Sequence, residues 1–191
     1  MNKGRAADRI RRFDHPWPFL YKDGRGEVTI GLGHAVNSTA AALSVPWAGS
    51  PNNSQIIRDW VQVSRSEAGH PPLYYAGLSR VRIEGPAIDW VLDTDIGVLL
   101  SNLAVLISDF ATMPEAAQEA LFDLAFTMEG AGLGLLRMSR FMAACALKDW
   151  QTAALESRRE FVTEARNAEV AGLLIGIYDA AKATTRGENL V

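Results

Sequence analysis

Asp14, Asp23 and Thr29 are the residues of this sequence whose types and spacing can do chemistry. Asp14 falls where a basic N-terminal stretch gives way to His15-Pro16-Trp17-Pro18. Asp23 precedes the glycine turn Gly24-Arg25-Gly26, and Thr29 follows it. With Gly26 near the centre of a β-hairpin, Asp23 and Thr29 are expected opposite one another on adjacent strands, their Cβ atoms about 4.5–5.5 Å apart. A carboxylate and a hydroxyl at that distance can share one water. The carboxylate takes its proton while the hydroxyl fixes its position. Gly31 and Gly33 continue the same face without side chains, so a bulky substrate can lie against the backbone. Asp14 supplies a second carboxyl group. Hydrolysis of a glycosidic bond needs an acid for the leaving oxygen and a base or nucleophile for the anomeric carbon, and Asp14 and Asp23 can divide those roles. The same spacing also suits ordinary caps and surface groups.

The elements that must position these residues follow from periodicity. Lys3–Phe13 reads as a short helix with Ala6, Ile10 and Phe13 on one side. The two prolines after it forbid continuation. Residues 19–23 and 27–32 read as strands around the glycine turn. In the second, Val28, Ile30 and Leu32 alternate with Glu27, Thr29 and Gly31, which predicts one packed face and one open face. Residues 37–53 read as loop with a helical turn, 54–66 as helix, and 67–72 as loop; 73–83 is ambiguous. Pro86 suits the first position of a long helix. Ile88, Val91, Leu92, Ile96, Leu99, Leu103 and Ile107 then recur at helical spacing. At 1.5 Å per residue that helix is about 35 Å long, enough to join two lobes. Helices follow at 114–128, 139–147, 149–161 and 162–181, with a break at 130–134 and a frayed tail at 185–191. The fold class is α+β, mainly helical, in one domain over 1–191: a front lobe at 1–85, a joining helix at 86–110 and a helical lobe at 111–184.

Composition sets outer limits. The chain is 48% apolar and 21% charged, which is that of a folded protein. A net charge of −3 gives no electrostatic case for nucleic acid. Lys3, Arg5, Arg9, Arg11 and Arg12 crowd the start, and they read either as attraction to an anionic envelope polymer or as a solvated helix face. The only cysteine, Cys145, sits in an apolar run and reads as a core thiol. The basic start lacks a following apolar segment, which argues against a secretory signal peptide. No apolar stretch is long enough for a transmembrane span. The expectation is a protein made in the cytoplasm and carried to any outside target by something else.

Residues 13–34 resemble the phage-type lysozymes, glycoside hydrolase family 24. The family signature runs from a catalytic acid to a tyrosine seven residues later. It continues through Tyr-x-Asp, a glycine turn and Thr-x-Gly-x-Gly-His. Tyr21, Asp23, Gly26, Thr29, Gly31, Gly33 and His34 match it in register. "QEALFDLAFTMEGAGL" and "EARNAEVAGLL" resemble two later family segments. The long stretch 37–85 looks most like the pesticin-like and secreted-effector branch. The resemblance implies a lysozyme-like two-lobed fold that binds peptidoglycan glycan strands between hairpin and helical lobe. It implies a muramidase, cleaving the β-1,4 link between N-acetylmuramic acid and N-acetylglucosamine with inversion, as an antibacterial or bacteriolytic enzyme. Asp14 falls on the general-acid position, and Asp23 with Thr29 on the water-activating position. The family has glutamate where this chain has Asp14. One methylene less withdraws the carboxyl by roughly 1–1.5 Å. Thr127 and Glu129 replace an asparagine and a glycine of the family. The alternative is a relative that binds peptidoglycan with little or no turnover. No cofactor is implied. An immunity protein or a delivery machinery would be partners of that reading, with action in the periplasm or outside the cell.

Other residues are weighed against this. Arg166, in the second of those segments, can reach Asp14 or the substrate, or sit on a helix surface. His34 reads as a structural histidine held by a carboxylate across the lobe boundary. His15, His34 and His70 lack the His-Glu-x-x-His spacing of a metal site. Trp17 reads as packing against the first helix, and Trp60, Trp90 and Trp150 as core.

Overall fold

The computed structural model describes residues 1–128 and 132–188, without the side chains of 185–188. The architecture is α+β and mainly helical, with one antiparallel sheet of three strands in sequence order. The chain forms two compact units. One is Ala7–Ile96; the other comprises Met1–Ala6 and the chain from Gly97 onward.

The first unit carries the sheet. Helix α1 (Lys3–Phe13) enters it at Ala7, and its apolar side is buried at Ile10. The Asp14 amide still donates to the Ile10 carbonyl at 2.9 Å, so Asp14 ends the helix, and Pro16 stops further winding. Strand β1 (Trp17–Lys22) pairs with β2 (Val28–Gly31), and β2 with the two-residue β3 (His34–Ala35). The register is Tyr21↔Thr29 and Lys22↔Val28, which centres the turn on Arg25 rather than Gly26. It shifts again between Trp17 and Tyr21, around Pro18, whose nitrogen has no hydrogen to give the ladder.

The stretch after the sheet wraps it. Helices α2 (Thr39–Ser44), α3 (Asn53–Arg65) and α4 (Pro72–Tyr75) contribute Ala42, Ile56, Val63 and Tyr75 to one core with Leu20, Val28, Ile30 and Ile83. Asn52 and Gln55 close a reciprocal capping box at the start of α3. Asp59 of α3 is 1% exposed, and its Oδ2 accepts the backbone N–H groups of Arg80 and Val81. That anchors residues 79–83 along the outer edge of β1. There the Ile83 amide donates to the Pro18 carbonyl at 2.9 Å, and the Leu20 amide to the Ser79 hydroxyl at 3.3 Å. With this cover in place, β2 is buried on both faces. The open face expected from its alternation is therefore absent.

Helix α5 (Gly85–Leu106) is the expected long helix, and it begins one residue before Pro86. Trp90 on it is 58% exposed, against the core position expected; Trp150 is buried as expected. Of the basic N-terminal residues, Arg9 is buried, Arg11 pairs with Asp89 at 2.7 Å, and Arg5 pairs with Glu119 at 3.1 Å and with Glu115.

The second unit is helical. Helix α6 (Glu115–Thr127) is buried on most of its circumference and packs against α9 (Glu164–Glu188), with α7 (Ser139–Ala146) and α8 (Trp150–Leu155) beside them. α8 stops short of the expected 161. Asn167 accepts from the Arg159 amide at 3.1 Å and donates to the Arg159 carbonyl at 2.8 Å, so this backbone is withdrawn from a helical ladder. α9 runs beyond the expected 181, to Glu188. The expected break at 130–134 continues at Gly132, with a left-handed φ of 101°. Glu129, Gly130, Ala131 and the tail 189–191 lie outside the described residues. Cys145 is buried, and burial pushes its thiol up to about 12, with the Asp109 charge adding to the shift. No helix among the described residues is long and apolar enough to cross a membrane.

Asp123 is the charged centre of this unit. It is 0% exposed, accepts from Arg159 Nη1 at 2.9 Å, and accepts from Arg166 Nε on both oxygens at 3.1 Å. Substituting Asp123→Asn weakens the attraction to two buried guanidinium groups. The expected loss is about 3–5 kcal/mol of unfolding free energy, read from the urea midpoint.

Candidate functional site

The site grows from the hairpin turn. Asp23 Oδ1 accepts the backbone amides of Arg25 and Glu27, each at 2.9 Å, and its Oδ2 accepts the Arg25 guanidinium through Nη2 at 3.1 Å and Nε at 3.3 Å. The Asp23 amide donates to the Glu27 carbonyl at 3.0 Å, and the Gly26 amide to the Asp23 carbonyl at 3.0 Å. Gly26 takes φ 85°, a left-handed conformation that glycine adopts without a Cβ penalty. These bonds put Asp23 opposite Glu27. Asp23 and Thr29 are thus not directly paired as expected. They are diagonal neighbours on one face, with Cα atoms about 7–8 Å apart by strand geometry.

Tyr21 fills the space between them. It is the direct partner of Thr29 and is 8% exposed. The Thr29 hydroxyl donates to the Tyr21 carbonyl at 3.3 Å and is itself buried. Burial pushes the Tyr21 phenol up to about 12. Hydrogen bonding to Thr29 acts the other way, and the negative charges of Asp14 and Asp23 both add to the rise. Helix α1 ends at Phe13, and the half-buried Asp14 follows it, just before β1. Tyr21 was legible as a site residue, because the period of two in a strand places it on the face of Asp23.

The remaining expected residues are placed as follows. Gly31 is buried, with φ 63°, and a Cβ there would meet Ile83 at 3.6 Å and Ile88 at 3.7 Å. Its left-handed backbone accounts for glycine without any substrate. Gly33 is exposed, with φ 94°. His34 Nδ1 lies 2.9 and 3.0 Å from the two carboxylate oxygens of Asp95 on α5. A carboxylate holds this histidine as expected, but both residues belong to the sheet-bearing unit. Arg166 belongs to the other unit, where it is buried on Asp123 rather than lying on a helix surface. Trp17 packs at a tilt against His15, with ring centroids 4.3 Å apart, and against Phe19 at 5.7 Å.

No family model matches this sequence, and no curated protein matches it. The site therefore stands on its own geometry. Asp23, Tyr21 and Thr29 share one face of the hairpin, and the phenol stays protonated through the physiological range. Among the described residues no group of three or more His, Cys, Asp or Glu side chains could hold a metal ion. Such a set suits proton transfer to and from a neutral bond.

The Tyr21 shift has a definite sign. A phenol raised from 10 to about 12 on folding contributes stability that is complete below pH 10 and disappears as pH climbs through 12. In an ultraviolet phenolate titration, one component is expected to titrate near pH 12 in the folded protein and to be missing from Tyr21→Phe.

Proposed function

We propose that the protein is a muramidase that hydrolyses the β-1,4 link between N-acetylmuramic acid and N-acetylglucosamine in peptidoglycan. The observation that carries this reading is the Asp23 carboxylate held by two turn amides on the hairpin face it shares with Tyr21 and Thr29, with Asp14 following the helix that leads into β1. The match of residues 13–34 to the phage-type lysozyme signature supports it. So does a chain of two compact units, one sheet-bearing and one helical, in keeping with a lysozyme-like two-lobed fold.

In this mechanism Asp14 gives its proton to the leaving glycosidic oxygen. Asp23 takes the proton of an attacking water on the opposite side of the sugar ring, and the product inverts. Thr29 and the neutral Tyr21 phenol limit where that water can sit. Gly33, exposed at the end of the sheet, offers backbone for sugar contact. The two turn amides on Asp23 Oδ1 hold the base in one rotamer, which removes an orientational cost from the reaction. To act, the protein must reach the wall in the periplasm or outside the cell, and a delivery machinery and an immunity protein belong to the same proposal.

A second reading draws on one specific observation. Every oxygen of Asp23 already has donors, two amides on Oδ1 and a guanidinium on Oδ2. A relative that binds glycan without turnover would tolerate that arrangement indefinitely.

Release of reducing ends from purified peptidoglycan separates the two. The wild type is expected to release them, and Asp23→Ala and Asp14→Ala each to lower the rate by at least about 100-fold. Sedimentation with the polymer without any product would leave only the binding reading. Asp14→Glu restores the missing methylene and is expected to raise kcat. A fall would mean that the His15-Pro16 backbone has already set the geometry for aspartate.

A further inference from the structure

The stretch after α3 carries two rings that the chemistry above does not use. His70 and Tyr74 stack with centroids 3.9 Å apart and planes 20° from parallel. Both stay open to solvent: the His70 side chain is 36% exposed and Tyr74 is 47% exposed. The stack is braced on two sides. The buried Tyr75 meets the Tyr74 ring at right angles, 5.1 Å between centroids, and donates its hydroxyl to the Glu67 carbonyl at 2.9 Å. His70 Nε2 lies 3.5 Å from the exposed Glu67 carboxylate. The rings are therefore set in place before any ligand arrives, which lowers the ordering cost of binding. The same stretch touches the hairpin turn. Lys22 Nζ donates to the Ser66 carbonyl at 2.8 Å, and a Cβ at Gly26 would meet the Ala68 Cβ at 3.1 Å. Two residues further on, the His70 Cα is at most about 7.6 Å from that of Ala68.

We infer that His70 and Tyr74 form a sugar-stacking platform beside the hairpin turn, which takes one pyranose ring of the glycan strand away from the cleaved bond. The inference deepens the muramidase reading and takes its polymer from it. A β-1,4-linked pyranose holds its substituents around the rim of the ring, so each face is a patch of C–H bonds. That patch matches the negative face of an aromatic ring. The rim of hydroxyl and amide donors matches a carboxylate acceptor, and Glu67 supplies one beside His70. The same charge repels the carboxylate ends of peptide branches, which singles out the sugar as the occupant.

The test reads binding and turnover separately, on the full chain. The probes are glycan strands stripped of their peptides and, apart from them, the released peptides. Binding is read by calorimetry and turnover by reducing ends. The wild type is expected to bind the stripped strands in preference to the peptides. Tyr74→Ala is expected to weaken strand binding about fivefold, and Tyr74→Phe to retain it, because stacking needs the ring and not the hydroxyl. Tyr74→Trp keeps an aromatic face and reports on it directly. Its emission, taken against the wild type, is expected to shift to the blue as a sugar covers the indole. Equal strand affinity in wild type and Tyr74→Ala, a preference for the peptides, or an unmoved emission in Tyr74→Trp overturns the inference. Strands bound through Tyr74 without release of reducing ends would sink the muramidase and leave the platform. Reducing ends released from strands that bind equally with and without the Tyr74 ring would do the reverse.

Discussion

The Asp23 carboxylate accepting the amides of Arg25 and Glu27 is the constraint from which the front of the molecule follows. These bonds are local, spanning two and four residues, and they exist only if the turn is centred on Arg25. A strand pair has a side-chain period of two, so moving that centre by one residue keeps every side chain on its face but gives it a different partner, two positions along. With the centre where it is, Tyr21 meets Thr29, and Val28 and Ile30 belong to the core. The same carboxylate that sets the register is the proposed base. Structure and chemistry here share one side chain, so a substitution at Asp23 is read most cleanly beside a measurement of folding.

The two units solve the problem of buried charge differently. In the sheet-bearing unit, Asp59 is satisfied chiefly by backbone amides, with Arg58 3.3 Å away from its other oxygen. That arrangement converts one carboxylate into a fastener between α3 and residues 80–81. In the helical unit, Asp123 is satisfied by side chains from 36 and 43 residues away in the sequence. A buried ion cluster of that kind adds little net stability over an apolar core, but removing one member is costly. It does fix which face of α9 meets α6, because Arg166 must arrive at a single point.

Much of this architecture was legible because it is periodic. The bounds of α1, the existence of the hairpin, α3 and the long helix all follow from the spacing of apolar residues and from Pro16 and Pro86. The register was not, because it turns on side-chain-to-backbone bonds at Asp23 rather than on hydrophobicity. β3 was missed because two residues carry no period. Trp90 misled because its position in an apolar helix says nothing about which neighbours that helix finds. Arg166 read either as reaching Asp14 or the substrate or as a helix-surface residue, and only long-range pairing with Asp123 buries it, beside Arg159. The candidate residues clustered at the front were found from type and spacing. Tyr21 matched the lysozyme signature but was given no role, and Arg25 was passed over because an arginine in a turn is ordinary.

The segment fastened by Asp59 has a further consequence. β1 lies at one side of the sheet, and such a strand normally offers a row of free amides and carbonyls to any extended chain that drifts past. Residues 79–83 occupy that margin, with Ile83 and Ser79 already bonded to Pro18 and Leu20. The longest outer strand is therefore closed to self-association by strand addition. Copies of the protein at high concentration thus leave that margin unpaired with one another, and the hairpin tip can stay exposed without seeding fibres.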